Sequence, residues 1–334
     1  MIWNQWYAVI ESREIQNGRF TTVTRFGEKL CFFRDADGKV TCIGDKCAHR
    51  GASLSAGKCC GEHGERVQCP FHGLEYDASG ACTIIPANGK DAPVPANFRV
   101  PAYSAREAHD LVWVWWGEPR DELPPLPFFE DIDDSFAYMT FVDHWPVHYS
   151  RAIENQLDVV HVPFVHYNTI GKGGRTLVDG PVTTPLEDGR GFRIRSFNRK
   201  DDGIPPRKAE EIQVPEDMKF YLEFRWPNIW QNHILDPLRI FVAFVPVDEG
   251  NSLIYLRVYQ KFLRVPGLRW LVGKIGMRSA KKVLGQDKRV VITQEPKKSA
   301  LKMGENLFQG DFPIVYYRQE RERLQAENPR PGLE

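Results

Sequence analysis

The chain has no excess of charge of either sign: 44 Lys+Arg stand against 44 Asp+Glu over 334 residues. That balance argues against wholesale binding to nucleic acid or to an anionic membrane. No uninterrupted apolar run approaches a membrane span. Residues 1–10 lack the basic and apolar blocks of a secretory leader and read as the first strand of a domain. Gly-x-Gly-x-x-Gly is missing, and with it the usual sign of a bound flavin or nicotinamide. No internal repeat or low-complexity segment is evident. Cysteines number seven, an odd count, and a reducing cytoplasm is their simplest setting. The length suggests about two domains, each able to bury its own core.

What is present is concentrated in one stretch. Cys47-Ala48-His49 and Cys69-Pro70-Phe71-His72 each put a thiol and an imidazole close together, with nineteen residues between the pairs. A zinc finger groups like ligands, two Cys and then two His. Here each loop offers one sulfur and one nitrogen, so each can give its Cys to one iron and its His to the other, as a Rieske [2Fe–2S] cluster requires. With their flanks, Arg50-Gly51-Ala52 and Gly73, the two loops resemble the cluster loops of Rieske proteins. Cys59, Cys60 and His63 in the intervening insert lack that Gly and Pro flanking and read as spare groups.

Around these loops the first third reads as all-β. Residues 21–24, 30–34 and 40–43 are β-prone, and Asp35-Ala36-Asp37-Gly38 is a hairpin turn. Residues 111–116, Leu-Val-Trp-Val-Trp-Trp, form a further strand whose aromatics suit core packing better than a ligand. Residues 118–127 hold four prolines among acidic residues and predict a stiff extended connector, placing a domain boundary near residue 120.

Beyond it lies a second constellation. Residues 149–161 can be helical, making Asn155, Asp158 and His161 successive i,i+3 neighbours. His161 and His166 are five apart, which one straight helix would not aim at a single metal. Pro163 disfavours helix at Val162, so the helix should end or kink there and let His166 swing back. Two His and one carboxylate with open positions make a mononuclear iron(II) oxygenase site. Spacing leaves the carboxylate open between Asp158 and Asp287, the latter on a helix expected from about Leu268. His144 and His148 are rival histidines, expected at the surface or on a strand.

Taken together, the loops, Glu154-Asn155-x-x-Asp158-x-x-His161-x₄-His166 and Gln286-Asp287 resemble the oxygenase component of Rieske non-haem iron oxygenases, the aromatic-ring-hydroxylating α-subunit family. The resemblance covers nearly the whole chain. It implies an α+β protein. An all-β Rieske domain (1–120), holding the cluster on Cys47, His49, Cys69 and His72, would precede a helix-grip catalytic domain (121–334), a curved antiparallel sheet wrapped on a long helix. His161, His166 and Asp287 would hold iron(II). Asp158 would bridge an iron-ligating His to a cluster His of the neighbouring subunit, with Asn155 beside it as a further catalytic-motif residue. The family often has Glu where this chain has Gln286.

The function that follows is insertion of oxygen from O₂ into a small organic, aromatic substrate, with monohydroxylation or oxidative demethylation favoured over cis-dihydroxylation. Electrons would come from a separate reductase or ferredoxin, so NAD(P)H acts only indirectly, and a bridge through Asp158 implies a homotrimeric ring. Lys46, Arg50 and Lys58 could meet an acidic ferredoxin. The competing readings are a Rieske electron carrier without catalytic iron, a ring-hydroxylating dioxygenase and a zinc-stabilised binding protein. In the second domain, residues 221–226, 238–245 and 253–262 read as strands, with 248–251 as a hairpin turn. Trp230, His233 and Phe241 are candidates for the pocket wall, and residues 171–175 and 201–206 for a lid. Residues 316–325, strongly charged, read as a surface helix.

Overall fold

A computed structural model describes residues 1–263 and 265–331. The chain divides into two compact units between Leu126 and Pro127, with Met1 and Ile2 belonging to the second.

The first unit is built from short antiparallel strands: β1 (Gln5–Glu11), β2 (Thr21–Arg25), β3 (Glu28–Arg34), β4 (Val40–Gly44), β5 (Lys58–Cys60), β6 (Arg66–Gln68), β7 (Glu75–Tyr76), β8 (Cys82–Ile84), β9 (Ala102–Tyr103), β10 (Ala105–Ala108) and β11 (Leu111–Trp116). They form three sheets, ordered β1-β11-β10, β2-β3-β4-β9 and β5-β6-β7-β8. All six residues of β11 are buried. Trp116 stacks on Phe26 and Tyr103, so its aromatic run is core, as expected. The insert between the cluster loops is itself a hairpin, with Lys58 opposite Gln68 and Cys60 opposite Arg66.

The second unit opens with β12 (Ala137–Trp145) and two helices, α1 (Tyr149–Leu157) and α2 (Val162–Val165). A meander follows: β13 (Leu177–Pro185), β14 (Gly191–Arg199), β15 (Tyr221–Arg225), β16 (Ile229–Leu235), β17 (Leu238–Pro246) and β18 (Ser252–Gln260). The seven strands make one antiparallel sheet, β12-β18-β17-β16-β15-β14-β13, so the first strand pairs with the last. The long helix α3 (Pro266–Val291) packs along β12 and β18, while α1 packs on β17, α3 and α4 (Phe312–Glu327). This is the helix-grip arrangement. No helix of the described residues is long and apolar enough to cross a membrane.

Three expectations need correction. The first helix stops at Leu157, four residues before His161, and Pro163 does not break it. Asp158 does that work: its Oδ1 accepts the backbone N–H groups of Val160 (2.7 Å) and His161 (3.1 Å) and so starts the next turn. Pro163 then falls in the first turn of α2, where a missing N–H costs nothing. His148 is not at the surface. It is 1% exposed and caps α1, its Nδ1 accepting from the Ser150 N–H. The C-terminal helix is not a surface helix, because it buries Ile314, Tyr317, Arg318 and Arg321. Arg318 reaches Glu154 of α1 through two charge-assisted bonds of 2.8 and 2.9 Å. His144, by contrast, is the exposed strand residue expected.

Candidate functional site

In the first unit the two Cys–His loops have the same backbone plan. Cys47 N–H donates to Ala52 O and Gly51 N–H to Cys47 O; Cys69 N–H donates to Leu74 O and Gly73 N–H to Cys69 O. Both turns close on a glycine in the left-handed region, Gly51 at φ 75° and Gly73 at φ 74°, where a side chain would be strained. The loops bury both sulfurs and expose both imidazoles. The His49 and His72 rings lie 4.7 Å apart, centroid to centroid. Asp45 ties down the first loop by accepting from the Ser55 backbone N–H (2.8 Å) and hydroxyl (2.9 Å). Tyr76 Oη sits 3.2 Å from Cys47 Sγ and accepts the Ala48 N–H. Burial pushes the Cys69 thiol up, while the backbone N–H groups of Phe71 and His72, aimed at its sulfur, favour the thiolate.

In the second unit α2 and α3 bring His161, His166 and Asp287 together, their ligand atoms all within 4.8 Å of one another. His166 Nε2 lies 3.0 Å from Asp287 Oδ1, His161 Nε2 3.4 Å from the same oxygen, and the two Nε2 atoms 3.2 Å apart. The loop after α2 folds back tightly, since a side chain on Gly171 would strike the Val162 carbonyl. Burial disfavours a charged His161, but Asp158 and Asp287 outweigh it and lift the imidazolium to about 9. Burial likewise opposes ionisation of Asp287, yet the two imidazoles hold its carboxyl below the usual range. Asp158 Oδ1 is 3.7 Å from His161 Nδ1. Asn155 sits on α1 with its Nδ2 buried and without a partner.

Gln286 has a definite job that its sequence position did not announce. Its Oε1 faces His166 Nδ1 at 3.0 Å and accepts from the Thr169 hydroxyl at 2.8 Å, while its Nε2 donates to Asn168 Oδ1. That network fixes the amide so that oxygen meets the imidazole. An Nδ1–H donated to that oxygen would leave Nε2, the nitrogen that lies toward Asp287 and His161, to serve as the metal ligand.

These side chains lie in a cavity of about 850 Å³ that Asp158, His161, His166 and Asp287 help to line. Its walls are mostly apolar, with Leu222, Trp230, Ile240 and Val242 from the sheet and Val283 and Leu284 from α3. Of the expected wall residues, Trp230 lines it and His233 and Phe241 do not. Side chains alternate along a strand, so His233 on β16 faces away from Trp230 and stacks on Tyr221, and Phe241 packs with Phe128 and Phe129. Gly171, Lys172, Gly173 and Arg175 border the cavity, whereas 201–206 does not; there Asp202 pairs with Arg199.

The model of the Rieske [2Fe–2S] domain matches residues 5–104, and that of the vanillate O-demethylase oxygenase C-terminal domain matches residues 145–327. The chain belongs to the Rieske oxygenases. This Rieske oxygenase is 37% identical over 173 residues to the chloroplastic chlorophyllide a oxygenase of Chlamydomonas reinhardtii, covering 51% of this chain and 25% of that one. It is 30% identical over 170 residues to the toluene-4-sulfonate monooxygenase system iron-sulfur subunit TsaM1 of Comamonas testosteroni, covering 50% and 47%. The matches thus span a quarter to a half of the length of these curated relatives. NdmA of Pseudomonas putida CBB5 shares the fold, with a TM-score of 0.76 at 20% identity over 97% of this chain and 90% of that one.

The family carries a [2Fe–2S] cluster and a mononuclear iron, and the residues present fit both. Asp287 Oδ1 is buried and finds no hydrogen-bond partner although two imidazole nitrogens surround it, as befits atoms converging on a cation. In the other unit, buried sulfurs with N–H and hydroxyl donors around them suit bridged irons.

Proposed function

We propose that the protein is a Rieske-type oxygenase that inserts oxygen from O₂ into a small organic, aromatic substrate, by monohydroxylation or oxidative demethylation. The observation that carries this reading is the His161–His166–Asp287 group lining an apolar cavity in a chain that also bears the twin Cys–His loops. His161, His166 and Asp287 would hold the mononuclear iron and leave positions open toward the cavity. Cys47, His49, Cys69 and His72 would hold the cluster. When bound, the two groups supply single electrons and oxygen activation.

The chain's own residues do the rest. Gln286 holds the proton on His166 Nδ1 and thereby orients the ring. Asp158 fixes the backbone at His161 and presents a carboxylate to its Nδ1 side, which suits a link to a cluster histidine of a neighbouring subunit. Such a link requires a closed ring, and a trimer is the assembly we favour. The apolar walls orient the substrate and exclude water. A reductase or ferredoxin supplies electrons, docking near the exposed His49, His72, Arg50 and Lys46. Seven unpaired cysteines suit a reducing compartment such as the cytoplasm.

The test is iron and acid-labile sulfide per chain on anaerobically purified protein reconstituted with iron(II). Three irons to two sulfides is expected. Two irons to two sulfides would leave an electron carrier without a catalytic site and overturn the proposal.

A further inference from the structure

On β16, Trp230 and Asn232 stand two residues apart and therefore share the face that lines the cavity. The strand register sets Asn232 opposite Leu222 on one side and Ile240 on the other, so a carboxamide interrupts an otherwise apolar row. Trp230 is 3% exposed, and its indole Nε1–H, which can only donate, has no partner. Asn232 Oδ1 is also buried and without a partner. Native proteins rarely leave such atoms unpaired, because each has given up water for nothing. Two residues that line one cavity and each carry such an atom point to a ligand.

We infer that Trp230 and Asn232 form a recognition pair for an uncharged amide or lactam carried on a flat apolar molecule. This deepens the oxygenase reading and rests on it for the view that the bound molecule is the substrate. The indole N–H donates to the carbonyl oxygen, and Asn232 Oδ1 accepts from the adjacent N–H. A carboxylate offers no donor to Asn232. Lys172, Arg175 and Lys200, the Lys and Arg side chains that line the cavity, are solvent-exposed, so none of them gives a carboxylate at this wall a buried counter-charge.

The test is calorimetric binding to the holoenzyme under nitrogen, so that nothing turns over, with three probes of one shape: 6-methoxy-2-naphthamide, 6-methoxy-2-naphthoate and 2-methoxy-6-methylnaphthalene. The amide should bind roughly tenfold or more tighter than the methyl analogue, the effect expected of two satisfied buried hydrogen bonds. Trp230→Phe and Asn232→Leu should each erase most of that advantage while keeping the methyl analogue within about twofold, since the apolar surface is retained. Equal binding of amide and methyl analogue, tighter binding of the naphthoate, or variants that leave amide affinity unchanged would overturn the inference. If a variant loses the methyl analogue too, its cavity has collapsed, and the wild-type ranking of the three probes decides. An amide that binds through the pair yet is never oxygenated in the reconstituted system would count against the oxygenase reading and leave the recognition pair standing.

Discussion

Replacing Gln286 by Leu should strip the mononuclear site of metal affinity while leaving the cluster untouched. His166 is 1% exposed, and Gln286 Oε1 at 3.0 Å is the acceptor for its Nδ1–H. Leucine removes that acceptor without opening the site. An N–H left buried and unpaired costs about 1–3 kcal/mol. Loss of the bond that orients a ligating histidine typically lowers metal affinity by about 10–100-fold. The two figures describe the same loss and agree, since about 1.4 kcal/mol is tenfold. The assay is a cobalt(II) titration of protein whose mononuclear site has been emptied, followed by visible absorption, with acid-labile sulfide measured on the same samples. Gln286→Glu is the rescue arm. It restores an acceptor and adds a charge, so affinity should return to the wild-type level or above. Unchanged cobalt affinity in Gln286→Leu would refute the reasoning, as would a parallel loss of sulfide, which would mark general misfolding.

Other expectations follow from the same structure. Glu154 sits between the buried guanidiniums of Arg151 (3.1 Å) and Arg318 (2.8 Å). Breaking a buried pair costs roughly 3–5 kcal/mol, and Glu305 remains to neutralise part of the charge, so Glu154→Gln should lose about 3 kcal/mol in urea unfolding; a loss under about 1 kcal/mol would contradict this. Burial pushes the His148 imidazolium down from 6.5 to about 2, so below pH 6.5 the unfolded chain takes up a proton that the folded chain refuses. Stability is then full above pH 6.5 and falls on acidification by about 1.4 kcal/mol per pH unit from this group, a slope that His148→Asn should remove while keeping the cap; parallel stability–pH curves would count against it. Tyr76→Phe deletes the hydroxyl beside Cys47 Sγ and should lower the cluster's reduction potential in a redox titration at unchanged iron and sulfide content; an unchanged potential would show that the contact is electrically idle.

The parts that proved legible were those encoded over a few residues. The cluster loops could be read because ligand spacing, Gly and Pro all fall within six residues of one another. The strands at 111–116, 238–245 and 253–262 emerged close to their expected limits because alternation and turn residues are local signals. What failed depended on distant partners. Charged Arg318 and Arg321 looked solvated until Glu154 and Ser299 met them from elsewhere in the chain. His148 looked like a surface residue because no local pattern marks a histidine as a helix cap. The cavity wall is not legible locally: residues 229–235 carry no clear alternation of apolar and polar side chains, so the sequence does not sort Trp230, Asn232 and His233 onto the two faces of β16. Asp158 and Asp287 could not be separated by spacing because 120-odd residues lie between α2 and the end of α3.

The pairing of β12 with β18 has a consequence for how the protein is made. During synthesis β12 emerges more than a hundred residues ahead of β18, its one strand neighbour among the described residues. Its backbone edge must wait unpaired, a long-range closure of the kind that slows folding and invites wrong partners. The same timetable governs the metal group, for His161 and His166 leave the ribosome well before Asp287 does. The three side chains can therefore come together only once α3 has been made.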